Sequence, residues 1–260
     1  EEIFATACNS ATSGLHIACL ALGVGSGDRV WTTCNSFVAS ANCAIYCGAE
    51  VDFVDIDEID QNISVDALKT KLEAAAETGC LPRVLVAVHF AGMPCDMKAI
   101  HDLSVSYGFR VIEDASHALG ASYFGSKIGS CLYSDITVFS FHPVKIITSV
   151  EGGVVTTREP EIHKRLERLR SHGVIRKEPS NDHIVDPWDY WQIDLGWNYR
   201  LTDVHAALGR SQFRKLDSFV SKRNDLAAIY NLELRDLPVG VPLLSSDTIR
   251  SSFHLYVIQL

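Results

Sequence analysis

"RVLVAVHFAGMPCDMKAIHDLSVSYGFRVIED", residues 83–114, contains the pattern that decides the fold. The apolar run Arg83–His89 predicts a buried strand, and Met97–Tyr107 has apolar residues at helical spacing. A second apolar run, Arg110–Ile112, leads directly into Glu113 and Asp114. A helix of this length between two apolar strands predicts a βαβ unit with parallel strands.

The same alternation of strands and helices continues along the chain. The other predicted strands are Ile3–Cys8, Arg29–Thr33, Val51–Val54, Asp135–Phe141 and Gly153–Thr157. The other predicted helices are Ala11–Ala21, Val38–Cys47, Val65–Ala76, Glu159–His172, Thr202–Arg223 and Leu226–Arg235. We therefore expect an α/β fold with a mostly parallel sheet covered by helices on both faces. In such a sheet ligands bind at the carboxyl ends of the strands.

Composition narrows the class of protein. The 260 residues are 47% hydrophobic and 21% charged, which is typical of a globular protein. The net charge of −9, with no run of Lys or Arg, argues against a nucleic-acid surface. No apolar run is long enough for a transmembrane helix, and the first residues lack the pattern of a signal peptide. The chain has no initiator Met, so we expect it to be a fragment.

Eight cysteines lie at positions 8, 19, 34, 43, 47, 80, 95 and 131, without a C-x-x-C pair. Most lie inside apolar segments, which favours buried free thiols over disulfides or a zinc site. Free thiols indicate a reducing compartment, and we expect a cytoplasmic protein with no metal.

"ACNSATSGLHIACLALG", residues 7–23, contains the first strand end that is a candidate binding position. The strand ends near Ser10, and apolar residues then recur at helical spacing, so Ser10 or Thr12 lies at a helix N-terminus. Free backbone N–H groups and the helix dipole make this position an anion site. A plain helix cap is the alternative interpretation.

"FRVIEDASHALGASY", residues 109–123, contains a second strand end, and ionisable side chains lie at it. Glu113, Asp114 and His117 form a candidate charge cluster. Either carboxylate would equally serve as the cap of the next turn, and His117 would equally be a satisfied interior histidine.

"SFHPVKIIT", residues 140–148, follows the predicted strand Asp135–Phe141. Pro143 breaks the helical pattern, which leaves Lys145 on a turn among apolar residues. Burial lowers the pKa of a lysine and makes its amine a nucleophile toward carbonyls, although most lysines simply extend to solvent. An anion site, a carboxylate and a turn lysine at one sheet edge match the phosphate, ring nitrogen and aldehyde of pyridoxal phosphate.

Five stretches in sequence order resemble the DegT/StrS-type sugar aminotransferases. They are "NSATSGLHIACLALG" (9–23), "TTCNSFVASANCAIYCGAEVDFVDID" (32–57), "VIEDASHALGASY" (111–123), "SFHPVKIIT" with "EGGVVTT" (140–157), and "LGWNYRLTDVHAALGRSQ" (195–212). The resemblance implies the large domain of a fold-type I transferase that binds pyridoxal 5′-phosphate. It also implies a domain of residues 1–223 and the beginning of a small C-terminal domain at 224–260.

The resemblance assigns the site residues one by one. Lys145 would bind the cofactor's aldehyde, Asp114 would keep the ring nitrogen protonated, and His117 would lie near the phenolic oxygen. The other cofactor-binding residues implied are Ala11, Thr12, Phe37, Ser140 and Asn198. Asn198 would reach the phosphate of a neighbouring subunit, so the resemblance implies a homodimer.

The resemblance also implies a substrate. "NSATS", "SFHPVK" and "NYRLTD" are similar to the branch of the family that makes precursors of pseudaminic acid, in which glutamate aminates a UDP-linked 4-keto-6-deoxy sugar. The alternatives are a dTDP- or GDP-linked keto sugar, a regulatory member that binds pyridoxal phosphate without catalysis, and a nucleotide-binding module without pyridoxal phosphate.

"IVDPWDYWQIDLGWNYRLTD", residues 184–203, holds three of the four tryptophans. Such a cluster indicates a subunit interface or a surface on which a sugar stacks, and packing under a long loop is an equal alternative. The resemblance places this region between subunits. Arg200 and His172 are candidate contacts to the phosphates of a nucleotide sugar.

Overall fold

The computed structural model of the chain describes residues 2–176 and 188–260. The "IVDP" part of the tryptophan-rich stretch, residues 184–187, lies outside the described residues. The helices are α1 (Ala11–Ala21), α2 (Ala39–Tyr46), α3 (Val65–Thr78), α4 (Met97–Tyr107), α5 (Pro160–Arg170), α6 (Asp203–Phe213) and α7 (Leu216–Leu234). A short 3₁₀ turn spans Phe90–Gly92.

The strands fall into one large sheet and two small ones. The large sheet contains β1 (Phe4–Cys8), β2 (Arg29–Thr32), β3 (Glu50–Phe53), β4 (Val84–Val88), β5 (Arg110–Asp114), β8 (Ile136–Ser140) and β9 (Gly153–Thr157). The small sheets contain β6 (Ser122–Tyr123), β7 (Ser126–Lys127), β10 (Val174–Arg176), β11 (Tyr190–Gln192) and β12 (Ile249–Arg250). The sequence analysis did not predict these five short strands, since two or three residues carry no periodic signal.

The large sheet has the strand order β1-β9-β8-β5-β4-β2-β3. Strand β9 pairs antiparallel with both of its neighbours, and the pairs from β8 to β3 are parallel. The expected mostly parallel sheet is therefore confirmed, and the carboxyl ends of β4, β5 and β8 meet at one edge.

Helices cover both faces of the sheet. On one face α1, α2 and α5 pack on a cluster that includes Val86, Ile112 and Val138. On the other face α3 and α4 pack on a cluster that includes Leu85 and Val111. Because neighbouring residues of a strand face opposite ways, each central strand supplies both clusters, which explains its continuous apolar run.

The predicted helix Thr202–Arg223 is wrong in its extent. The chain instead forms α6 and turns at Arg214 and Lys215. It then continues as α7 through residues 224 and 225, where the sequence predicts a gap between two helices. The turn contains no proline or glycine that would reveal it in the sequence. Leu216 and Val220 of α7 are buried in a separate cluster with Ile146 and Ile147, next to Lys145. The break is therefore a consequence of packing.

Within the described residues, no helix is long and apolar enough to cross a membrane.

Candidate active site

The N-terminus of α1 lies at the carboxyl edge of the sheet and keeps backbone donors open. Ser10 is the helix cap, and its hydroxyl accepts a hydrogen bond from the Ser13 backbone N–H at 3.1 Å. In return, the Ser13 hydroxyl lies 3.2 Å from the Ser10 N–H. Among the described residues, the N–H groups of Ala11 and Thr12 donate to no protein group. The helix is therefore capped and still presents two donors to an anion.

Strand β9 approaches this helix end closely. A Cβ atom added to Gly153 would lie 2.7 Å from the Ala11 nitrogen and 2.8 Å from the Ser10 carbonyl carbon. Backbone atoms cannot move aside as a side chain does, so only glycine fits this position. The close approach holds the open donors of α1 beside the sheet.

Asp114 ends β5 and faces the α1 and α2 side of the sheet. One carboxylate oxygen accepts a hydrogen bond from the Ser40 hydroxyl of α2 at 2.6 Å, and the other accepts one from the Ser116 N–H at 3.1 Å. The residue is 4% exposed. Each oxygen retains a lone pair for a further donor, such as a protonated ring nitrogen.

Glu113 faces the opposite side of the sheet and is not part of the cavity that contains Asp114. Its carboxylate accepts hydrogen bonds from the hydroxyls of Ser134 and Thr137 and lies 2.8 Å from His89 Nε2. The Cys95 N–H donates to His89 Nδ1, so the imidazole proton is on Nε2 and is donated to Glu113. Burial alone would raise the pKa of Glu113, but the hydrogen bond from His89 and those from the hydroxyls lower it. Through these hydrogen bonds Glu113 connects β5 to His89, which follows β4, and to Thr137 on β8.

Lys145 lies on a turn after β8, as the sequence predicts. Its backbone N–H donates to the His142 carbonyl at 2.9 Å, and the turn places the side chain in the cavity with Asp114. Among the described residues, its amine makes no hydrogen bond. Burial lowers the pKa of the amine, and the charge of Asp114 opposes the shift. A lysine in this state is available as a nucleophile.

His117 and His254 form a pair of imidazoles beside Lys145, with ring centroids 4.4 Å apart. Burial lowers the pKa of His117 to about 4, and Lys145 lowers it further. Burial also lowers the pKa of His254 to about 3, together with the neighbouring His117 and Lys145. Within the described structure, the Nδ1 atom of each ring is buried without a hydrogen-bond partner. Both rings are therefore neutral near pH 7, and both line the cavity that contains Lys145.

The sequence analysis missed His254. It follows Phe253, a buried residue with φ of +45°, and backbone strain of this kind is concentrated at functional sites. Arg223 of α7 holds the segment by donating to the Phe253 and His254 carbonyls at 3.0 and 3.1 Å. No local pattern in "SSFHLYV" identifies this residue, because the fold of the chain brings it to the cavity.

These groups line one cavity of about 360 Å³ at the carboxyl edge of the sheet. Of the residues predicted from the sequence, its lining includes Ala11, Thr12, Phe37, Asp114, His117, Ser140 and Lys145. Phe37 is 70% exposed at its mouth.

Asn198 and Arg200 do not line this cavity. They border a neighbouring open depression that shares Ser10 and Glu151 with it. His172 borders neither of the two. The tryptophans of this segment differ in exposure. Trp188 is 73% exposed, whereas Trp197 packs on the core beside Tyr199. The exposed-surface and packing interpretations each hold for part of this segment.

The residues present fit pyridoxal phosphate. The α1 donors and the Ser140 hydroxyl suit a phosphate, Asp114 suits a ring nitrogen, and the amine of Lys145 suits an aldehyde. His117 lines the same cavity. The phosphate, ring nitrogen and aldehyde of the cofactor thus each have a counterpart in the lining of this cavity.

A mostly parallel sheet with a lysine and a carboxylate at its carboxyl edge defines the class of fold-type I transferases. Residues 1–260 match the model of the DegT/DnrJ/EryC1/StrS aminotransferase family. The chain belongs to this family.

Known relatives agree with this assignment. The chain is 41% identical over 252 residues to the UDP-4-amino-4,6-dideoxy-N-acetyl-beta-L-altrosamine transaminase of Campylobacter jejuni. The match covers 97% of this chain and 63% of that protein. It resembles the structure of Helicobacter pylori PseC, an aminotransferase involved in the biosynthesis of pseudoaminic acid, with a TM-score of 0.85 and 33% identity. That match covers 98% of this chain and 64% of PseC. A family aminotransferase from Brucella abortus matches with a TM-score of 0.86 and 27% identity, covering 99% of this chain and 65% of that one.

Proposed function

We propose that the cavity binds pyridoxal 5′-phosphate and that the whole protein transfers an amino group from glutamate to a nucleotide-linked keto sugar. The observation that carries the proposal is the meeting, in one cavity, of an unpaired lysine, a carboxylate with spare lone pairs and open helix N–H groups. The bound cofactor supplies an aldehyde that carries the amino group and a ring that withdraws electrons from the substrate's α-carbon.

Lys145 has two roles in this proposal. Its amine binds the cofactor covalently, which its lowered pKa favours because an unprotonated amine is the nucleophile. When the amino donor displaces Lys145, Nζ is free to take the proton from the donor's α-carbon as a general base. The same Nζ returns this proton as a general acid.

Asp114 keeps the cofactor's ring nitrogen protonated, since a buried carboxylate beside it stabilises the positive charge. Ser40 and Ser116 hold both carboxylate oxygens in place. The N–H groups of Ala11 and Thr12 and the hydroxyl of Ser140 bind the phosphate. Phe37 would contact the ring, and neutral His117 would donate or accept a hydrogen bond at the phenolic oxygen.

The relatives support a UDP-linked 4-keto-6-deoxy sugar as the acceptor. The Campylobacter protein is named for a UDP-linked amino sugar, and PseC for the synthesis of pseudoaminic acid. The position of Asn198 outside the cavity supports a homodimer in which this residue completes the neighbouring subunit's site. The free cysteines of the described chain support a cytoplasmic location. The expected domain division falls within α7 and stays a prediction.

The decisive experiment uses the full-length protein. Reduction with borohydride should trap pyridoxal phosphate on Lys145, found by mass spectrometry of the peptide that contains it. Addition of glutamate before reduction should prevent trapping, because the donor displaces the lysine. A panel of UDP-, dTDP- and GDP-linked keto sugars would then identify the acceptor.

Variants make the outcome specific. Lys145→Ala should lose the adduct and the transamination, whereas Lys127→Ala, at an exposed lysine, should keep both. Absence of an adduct on Lys145 would contradict the cofactor assignment and favour a nucleotide-binding module. An adduct that glutamate leaves unchanged would instead favour a regulatory member of the family.

A further inference from the structure

A series of hydrogen-bonded side chains leads from the wall of the cavity to Asp114. Ser36 lies on the loop between β2 and α2 and lines the cavity. Its hydroxyl lies 2.7 Å from the hydroxyl of Ser40 on α2, which in turn donates to Asp114 Oδ2 at 2.6 Å. Ser40 is 1% exposed and does not line the cavity. An effect of Ser40 on a bound molecule therefore passes through Asp114.

The number of protons on each hydroxyl fixes the direction of these hydrogen bonds. A serine hydroxyl has one proton to donate, and Ser40 donates its proton to the carboxylate of Asp114. The Ser40 oxygen therefore accepts the second hydrogen bond, and Ser36 is its donor. Both protons point toward Asp114. Hydrogen bonds in such a series polarise one another, so the bond from Ser36 strengthens the bond from Ser40.

The loop that carries Ser36 is held on both sides of this residue. The side chain of Asn35 donates to the Gln61 carbonyl at 2.7 Å. On the other side, the Phe37 carbonyl accepts from the Ser40 N–H at 3.1 Å. The Ser36 hydroxyl is therefore kept beside Ser40, and the loop that carries Phe37 is tied to the carboxylate of Asp114.

We propose that Ser36 and Ser40 are positioning residues that aim Asp114 at the ring nitrogen of the bound cofactor and keep the proton on that nitrogen. Hydrogen bonds to a carboxylate stabilise its charged form. A carboxylate stabilised in this way takes the proton from the ring less readily, and the protonated ring withdraws electrons better. The effect on the ring rests on the proposed function, whereas the effect on the position of Asp114 does not.

The first experiment measures the proton on the ring nitrogen. The full-length protein is loaded with pyridoxal phosphate carrying ¹⁵N in the ring, because the ¹⁵N chemical shift differs widely between the protonated and unprotonated ring. In Ser40→Ala the signal should move toward the unprotonated value, and in Ser36→Ala it should move the same way by less. Ser40→Thr keeps a hydroxyl and should give the parent value.

The matched control is Ser104→Ala. Ser104 is a buried serine of α4 whose hydroxyl donates to the His101 carbonyl, and it does not line the cavity. The same chemical change at this position should leave the ¹⁵N signal at the parent value. A signal unchanged in both Ser40→Ala and Ser36→Ala would overturn the effect on the ring proton and leave a local contact at the start of α2.

The second experiment separates rate from binding. Ser40→Ala should lower the single-turnover rate with glutamate about tenfold, as expected for loss of one hydrogen bond to a charged group. The glutamate concentration that gives half the maximal rate should stay the same, because Ser40 does not line the cavity. Ser36→Ala acts through Ser40 and should lower the rate about twofold. A full rate in Ser40→Ala would contradict the proposal.

The third experiment needs no cofactor. In Ser40→Ala the hydrogen bond from the Ser116 N–H still holds one oxygen of Asp114. Crystals of the cofactor-free variant should therefore show the carboxylate rotated about its side-chain bond, whereas Ser104→Ala should keep the parent position. An unmoved carboxylate in Ser40→Ala would overturn the positioning role. If the parent protein bound no pyridoxal phosphate, the proposed function would fail, and these crystals would still decide what Ser40 does to Asp114.

Discussion

At the residue scale, the position of a carboxylate on a strand decides its role. Glu113 and Asp114 are neighbours in the sequence, yet β5 turns them to opposite faces of the sheet. Glu113 is satisfied by His89, Ser134 and Thr137, and Asp114 enters the cavity with Lys145. The sequence predicted a charge cluster that included both, and the structure retains only Asp114 in the site.

Replacement of these two carboxylates should therefore have different effects. Asp114→Asn should slow the reaction with glutamate by about 10² or more, because an amide does not hold the proton on the ring nitrogen. Glu113→Gln should mainly lower the free energy of unfolding, because it weakens a buried network. Single-turnover absorbance and denaturant unfolding measure the two quantities. A full rate in Asp114→Asn would contradict the role of this residue.

The two partly buried histidines of the cavity should make stability depend on pH. Their folded pKa values, about 4 for His117 and about 3 for His254, lie below the ordinary 6.5. As pH falls from 6.5 to 4, the unfolded chain binds protons that the folded chain does not, so stability falls. We expect the two histidines to lower the free energy of unfolding by about 3 kcal/mol over this pH range, after allowance for their partial exposure.

Denaturant unfolding between pH 4 and 7 tests this expectation. The double variant His117→Gln with His254→Gln should show a weaker dependence on pH than the parent protein. His205→Gln, at a surface histidine, should keep the parent dependence. An unchanged dependence in the double variant would show that other groups cause the loss of stability.

At the scale of elements, the contact between β9 and α1 positions the proposed anion site. The capping box fixes where α1 begins, and Gly153 allows the strand to lie against that end. Neither element makes the site alone. The nearby end of β8, with Ser140 and the turn to Lys145, completes it.

Gly153→Ala should therefore displace the start of α1. Its Cβ would meet backbone atoms at 2.7 and 2.8 Å, and we expect a loss of about 1 to 3 kcal/mol in the free energy of unfolding. The affinity for pyridoxal phosphate, measured by absorbance titration, should fall as well. Gly25→Ala is the matched control, because a Cβ there would meet no atom within 4 Å. Equal affinity in both variants would exclude a role for the close approach.

At the scale of the whole molecule, exposed apolar side chains are candidates for the contact surface of the proposed homodimer. None of the residues of α6 is buried, and Val204 on this helix is 78% exposed. The β10–β11 hairpin carries exposed Tyr190 and Trp191. Exposed apolar groups of this kind are typical of protein interfaces.

Val204→Asp should weaken the proposed homodimer, because it places a charge in an apolar contact. Sedimentation of the full-length protein should show a shift toward monomer. The Val204→Asp variant should also bind pyridoxal phosphate more weakly, because in the proposed homodimer Asn198 completes the neighbouring subunit's site. Val105→Asp, which changes a valine 71% exposed on α4, should remain like the parent. An intact dimer in Val204→Asp would place the interface elsewhere.

The sequence by itself predicted the α/β class, most of the long elements, and the three segments that bring Lys145, Asp114 and the start of α1 to the cavity. These depend on local physics: periodic burial, helix capping and a proline turn act within a few residues. Only the tertiary structure decided which face Glu113 takes, where α6 ends and how His254 reaches His117. Each of these depends on contacts between segments distant in the chain, and packing of such segments has no signature in the local sequence.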